Sequence, residues 1–256
     1  MFELRDFVSS SSHLATAVWA VFATILLLRL TPPGGGRRVS VFIYGISMIM
    51  LFLASGTFHG LHYNSSEEMR FYQKIDQSAV YILIVGTSTP VLTILLQGNF
   101  RKIFLTIMWT LAFMGVASLW LLPKPPHALV VSLYLAIGYV SCIPVYKYYR
   151  VVGWRAMNWV WLGAFFYTIG AVCELTKWPV IIPGWIQSHE VLHLCDSAGC
   201  LAFFVFIIRY VIPYGWVSES IGSRDDKILT TSSALPSSLS GERRLPLPLR
   251  SGIVQH

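Results

Sequence analysis

His189 and His193 stand four residues apart, and so do Ser55 and His59. In an α-helix that spacing places two side chains one turn apart on one face, so two imidazoles can reach a single metal ion. Three imidazoles suit zinc, a borderline-soft cation, and leave its fourth tetrahedral position for water. An open position gives the site a catalytic character, because water held there loses a proton near neutral pH. The candidate metal ligands are therefore His59, His189 and His193. Asp76 is the candidate to orient that water or act as its base, with Ser55 hydrogen-bonding the water or the carboxylate.

These residues sit at the ends of strongly apolar segments, each close to the roughly 20 residues that a helix needs to cross about 30 Å of hydrocarbon. The pattern predicts seven helices, over Ser12 to Leu30, Val39 to His62, Ile75 to Leu96, Phe100 to Leu122, Ala128 to Tyr146, Met157 to Leu175 and Ser188 to Tyr214. Breakers separate them, among them TPPGGGRR after Leu30, QGN after Leu96 and PKPP after Leu122. If the helices alternate in direction, the second ends on the side where the third and seventh begin. Topology alone then gathers His59, Asp76, His189 and His193 at one end. The first segment is not a cleavable signal peptide, since acidic Glu3 and Asp6 precede it and no small-residue cleavage site follows.

Composition fixes the class. The chain is 55% hydrophobic and 12% charged, with a mean hydropathy of +0.61, too apolar for a soluble globule of 256 residues. The expectation is an all-α, multi-pass protein of the cell membrane: a seven-transmembrane helix bundle over residues 1–217, then a disordered polar, basic tail over 218–256. The net charge of +7 lies mostly in short loops and the tail, where it meets lipid headgroups, so nucleic acid is not the expected partner. Cys142, Cys173, Cys195 and Cys200 fall in apolar segments without a CxxC pair and read as buried thiols. Oligomeric state is not legible.

Plainer readings stand beside the site. Asp76 can simply cap the third helix. His13, His62, His127 and His256 read as interfacial side chains. Only 12 acidic residues occur, and those in the apolar helices are Asp76, Glu190 and Asp196, with Glu174 at a helix exit. Asp196 shares a face with His189 and His193. The stretch His189-Glu190-Val191-Leu192-His193 is also a literal HExxH, the zincin signature. An intramembrane protease of that kind needs a further aspartate ligand on a downstream helix, and the candidate partners here lie upstream.

The order of these pieces resembles a known family. ASGTFHGLHYNSSEEMRFYQKIDQSAVYILIVGTSTP (Ala54 to Pro90), with its S-x3-H, basic-plus-Asp helix start and G-T-x-T-P turn, is similar to the hemolysin III branch of the progestin and adipoQ receptor (PAQR) family. HEVLHL resembles the family's final H-x3-H helix, and the likeness runs from about Asp6 to Tyr214. It implies seven membrane helices, one zinc on His59, His189 and His193, and Ser55 and Asp76 around the metal's water. Related membrane proteins include alkaline ceramidases, which implies hydrolysis of a ceramide-like lipid amide. The alternative is a non-enzymatic receptor, membrane-remodelling or haemolysin-type protein whose zinc only ties helices together. Two departures are visible: Phe203 stands where many relatives carry histidine, and Asp196 and Ser197 stand where relatives are usually apolar.

Orientation sets one expectation against another. Loops on the histidine side carry Arg5, Arg70, Lys74, Lys124 and Lys177; the opposite side carries Arg37, Arg38, Arg101, Lys102, Lys147, Arg150 and Arg155 plus the basic tail. The positive-inside rule then favours a cytoplasmic C-terminus and an outward site, whereas adiponectin-type receptors imply an inward one.

Overall fold

A segment inside hydrocarbon must satisfy its own backbone hydrogen bonds, and the described residues do so as helix. The computed structural model describes residues 5–183 and 185–218. Its helices in chain order are α1 (Phe7–Leu30), α2 (Arg37–Gly60), α3 (Ser66–Leu95), α4 (Gly98–Leu121), α5 (His127–Val140), α6 (Val145–Val152), α7 (Trp154–Thr176) and α8 (Ser188–Phe206). A π-helical turn at Ile207–Val211 carries α8 onward. Among the described residues six helices are long and apolar enough to span a membrane, and the α5–α6 pair, bent by 44°, supplies the seventh. The all-α seven-span bundle expected from the sequence is thus present. The tail lies outside the described residues.

Of the boundaries that differ from expectation, two have a clear local reason. The apolar pattern predicts the fifth span as one helix, but it breaks between Val140 and Val145. Pro144 has no amide hydrogen to donate, and its ring clashes with the carbonyl four residues back, which belongs to Val140. The third helix starts earlier than Ile75. The Ser65 hydroxyl accepts from the Glu68 amide at 3.1 Å, and Glu67 and Glu68 sit in the first turn, where the helix dipole favours negative charge. Asp76 therefore lies inside α3, and the reading of it as a cap is corrected.

Packing follows chain order, α1 on α2, α2 on α3, α3 on α4 and α7 on α8, with α1 also meeting α8. The core holds Leu27, Tyr44, Met48, Phe52, Leu92 and Phe206. Outward-facing apolar side chains such as Phe22, Phe113 and Met114 stay exposed, as suits contact with acyl chains. All four cysteines are free thiols, with Cys173 and Cys200 buried.

Candidate metal centre

α2 ends and α8 begins at the same end of the bundle, so the last turn of one meets the first turns of the other. His59 Nε2 lies 3.2 Å from both His189 Nε2 and His193 Nε2, and those two are 3.1 Å apart. His59 and His193 are buried, and His189 is partly so. A triangle of imidazole nitrogens cannot satisfy itself, because a ring protonated at Nδ1 presents only a lone pair at Nε2. Tetrahedral zinc with bonds of about 2.0–2.1 Å holds its ligand atoms about 3.3 Å apart. The observed spacing fits that to about 0.2 Å, the tolerance expected of a metal site. The three residues can hold a metal ion.

The other ring nitrogens fix this arrangement. His59 Nδ1 lies 3.2 Å from Asp6 Oδ2, and His189 Nδ1 lies 3.3 Å from Glu174 Oε2. Each carboxylate accepts a hydrogen bond from Nδ1–H, which keeps that proton on the ring, turns the Nε2 lone pair toward the centre and raises its basicity. Asp6 is tied in place several times over. Its amide donates to the His59 carbonyl at 3.0 Å, and its carboxylate accepts from the Ser9 amide as the cap of α1. Burial pushes the Asp6 carboxyl up, but hydrogen bonds from His59 and Ser9 outweigh it and hold the group at about 2. Arg5 braces the same corner, donating to the Phe58 carbonyl at 2.8 Å.

Glu174 is a hub. Only 3% exposed, it also meets Lys177 Nζ at 2.6 Å and His127 Nε2 at 2.8 Å. His193 differs from the other two ligands: its Nδ1 has no hydrogen-bond partner among the described residues. The ring of His13 stands edge-on to that of His193 at 4.1 Å, with His13 Nε2 3.4 Å from the His193 carbonyl.

His189 and His193 of the triad line a mostly apolar cavity walled chiefly by α3, α5, α7 and α8, with Leu83, Val131, Val160 and Phe206 among its lining. Asp76 and Ser55 line its histidine end. Ser55 Oγ is buried with no partner at hydrogen-bond distance among the described residues, although Asp76 lies near enough to interact with it electrostatically, as it does with His59 and His189. Asp196 lines the cavity one turn beyond His193, within electrostatic reach of His189 and Asp76. Glu190 accepts from the Gln187 amide at 2.8 Å and from the Ser9 hydroxyl at 3.2 Å, and so closes the capping box of α8, whose N-cap is Gln187.

Sequence reasoning missed the role of Asp6, left Glu174 without a role and read His127 and His13 as interfacial only, where the structure pairs His127 with Glu174 and buries His13 against His193. One signal was available: Glu174 is a carboxylate at the exit of an apolar helix on the histidine side, where burial without a partner is costly.

Residues 3–204 match the family described as Haemolysin-III related. The chain is similar to Hemolysin-3 of Bacillus cereus, 27% identical over 215 residues that cover 83% of this chain and 94% of that protein. The Hemolysin-3 homolog of Bacillus subtilis (strain 168) is 29% identical over 221 residues, covering 85% of this chain and all of that protein, 100%. The Adiponectin receptor protein of Drosophila melanogaster is 27% identical over 166 residues, 59% of this chain but 37% of the receptor. Since the match runs from before α1 into α8 and so takes in both helices that carry the histidines, the chain belongs to the haemolysin-III related family, with PAQR-type receptors among its relatives.

Proposed function

We propose that this protein is a zinc-dependent hydrolase of a membrane lipid amide, ceramide-like in type. The observation that carries the reading is the position of the histidine triad: two of its members, His189 and His193, line a mostly apolar cavity, with Asp76 and Ser55 on the same lining and His59 within 3.2 Å of both histidines. A lipid amide has matching parts, a polar carbonyl at one end of an acyl chain. His59, His189 and His193 would hold the ion. When bound, zinc supplies Lewis acidity, polarising a carbonyl and lowering the pKa of water. Asp76 takes the proton from the attacking water and returns it to the leaving nitrogen. Ser55, whose buried hydroxyl has no partner at hydrogen-bond distance among the described residues, would donate it to Asp76 or to the attacking water and so keep that carboxylate turned toward the cavity. The apolar lining holds the acyl chain and excludes bulk water from the carbonyl.

A second reading has its own support. All three ligands come from only two helices, and Asp6 and Glu174 pin them to α1 and α7, which is also what a structural zinc in a receptor or a haemolysin-type protein would need. Asp76→Asn separates the two. The hydrolase reading expects purified variant protein to keep about one equivalent of zinc and to lose lipid-amide hydrolysis by at least about 100-fold. Hydrolysis unchanged in the variant, or absent from zinc-loaded wild type across a panel of N-acyl lipids, favours the structural role.

A further inference from the structure

The bundle end opposite the histidines has a different chemistry. Every acidic residue from Asp6 to Val217 lies toward the histidine side, while Arg29, Arg37, Arg38, Arg101, Lys102, Lys147, Arg150, Arg155 and Arg209 gather toward the other. Most of these cations are spread around the rim, but two share a groove. The break at Pro144 turns α6 by 44° from α5, and the groove runs between α6 and the α3–α4 turn, with Leu95, Leu96 and Val151 as its floor. Lys147 and Arg150 stand three residues apart on α6, so they project from one face. Gln97 and Tyr214 add polar groups from the facing wall.

Among the described residues neither cation meets a carboxylate. Lys147 Nζ sits 4.0 Å from the centre of the Phe100 ring, and Arg150 donates to the Tyr146 hydroxyl at 3.2 Å. Arg101, close by in sequence, is otherwise engaged, donating to the Thr93 carbonyl at 3.3 Å. The Arg150 fork keeps donors for a phosphate, and a lysine ammonium on the same face adds charge without competing geometry. The apolar floor decides the source. A free phosphate gains nothing from Leu95, Leu96 and Val151, whereas the glycerol and first methylenes of a lipid do. The groove also stands where α3 ends and α4 begins, the level at which headgroups lie.

We propose that this groove binds the phosphate headgroup of an anionic phospholipid through Lys147 and Arg150. It is separate from the cavity below the histidines and independent of what that cavity hydrolyses.

The test uses the full-length protein in nanodiscs of phosphatidylcholine containing about one-fifth phosphatidylglycerol, with bound lipid counted by native mass spectrometry. Wild type carries phosphatidylglycerol in excess of its share of the bilayer, and the Lys147→Gln, Arg150→Gln double variant binds it about tenfold more weakly. Arg29→Gln, which removes a cation at the same end but outside the groove, retains wild-type enrichment. Unchanged zinc content in the double variant shows that it is folded, and Lys147→Gln alone gives an intermediate value if the double variant is poorly made. Equal enrichment in wild type and double variant, or an equal loss in Arg29→Gln, overturns the site in favour of diffuse charge. Displacement of the lipid by millimolar inorganic phosphate overturns the choice of a lipid.

Discussion

At the scale of single residues, the centre depends on carboxylates as much as on histidines. Asp6 and Glu174 each hold an Nδ1 proton and so direct an Nε2 lone pair inward. Removing His189 should abolish stoichiometric zinc. Removing the charge behind it should weaken binding without abolishing it. Glu174→Gln is expected to lower zinc affinity about 10- to 100-fold, read by competition with a chromophoric chelator, and Asp6→Asn to do the same through His59. Glu190→Gln provides the contrast: Glu190 closes the capping box of α8 and makes no hydrogen bond to a ligand side chain, so zinc affinity should stay within about threefold of wild type, the loss of a cap, typically about 1 kcal/mol, falling on helix stability. Equal losses in all three would mean that the effect is general unfolding and that neither carboxylate is special.

At the scale of helices, close approach decides where those residues sit. A Cβ on Gly45 of α2 would collide with the branched side chain of Thr24 on α1, and a branched side chain has no rotamer that clears the space. Small residues of this kind let membrane helices pack backbone to backbone. Gly45→Ala is therefore expected to cost about 1–3 kcal/mol and to lower the melting temperature of detergent-purified protein by several degrees. Gly138→Ala in α5, where a Cβ would meet open space, should be neutral or slightly stabilising in the same assay. Helices are the most legible part of the sequence, because the apolar runs and their Pro and Gly breakers set the number and direction of the spans. The i to i+4 pairs, combined with alternating helix direction, are enough to gather three histidines at one end. Helix rotation is not legible. Whether His13 faces lipid or His193 depends on how α1 turns against α8, and the contact of His127 with Glu174 depends on where α5 docks. The fifth span's break is written in Pro144 but hidden by the apolar residues around it.

At the scale of the whole molecule, charge divides the bundle. The histidine end mixes Arg5, Arg70, Lys74, Lys124 and Lys177 with the acidic residues from Asp6 to Asp196, whereas the loops at the other end carry Arg37, Arg38, Arg101, Lys102, Lys147, Arg150 and Arg155 with no acid among them. Topology responds to Lys and Arg in short loops near span ends, and acidic residues contribute little, so the excess at the second end holds whichever way the acids are counted. That end should be cytoplasmic and the metal centre should face outward, opposite to what is expected of adiponectin-type receptors. Single cysteines test this in intact cells. Glu67→Cys, before α3 on the histidine side, should react with a membrane-impermeant maleimide added outside, and Lys102→Cys, at the start of α4, should react only after permeabilisation, each read above the labelling of wild type. The reverse pattern would show that the charge excess does not set the topology. The consequence reaches the chemistry: an outward centre would exchange a bound metal with the medium outside the cell, so an impermeant chelator applied to intact cells should strip the metal from the wild-type protein, and an inward centre would keep it.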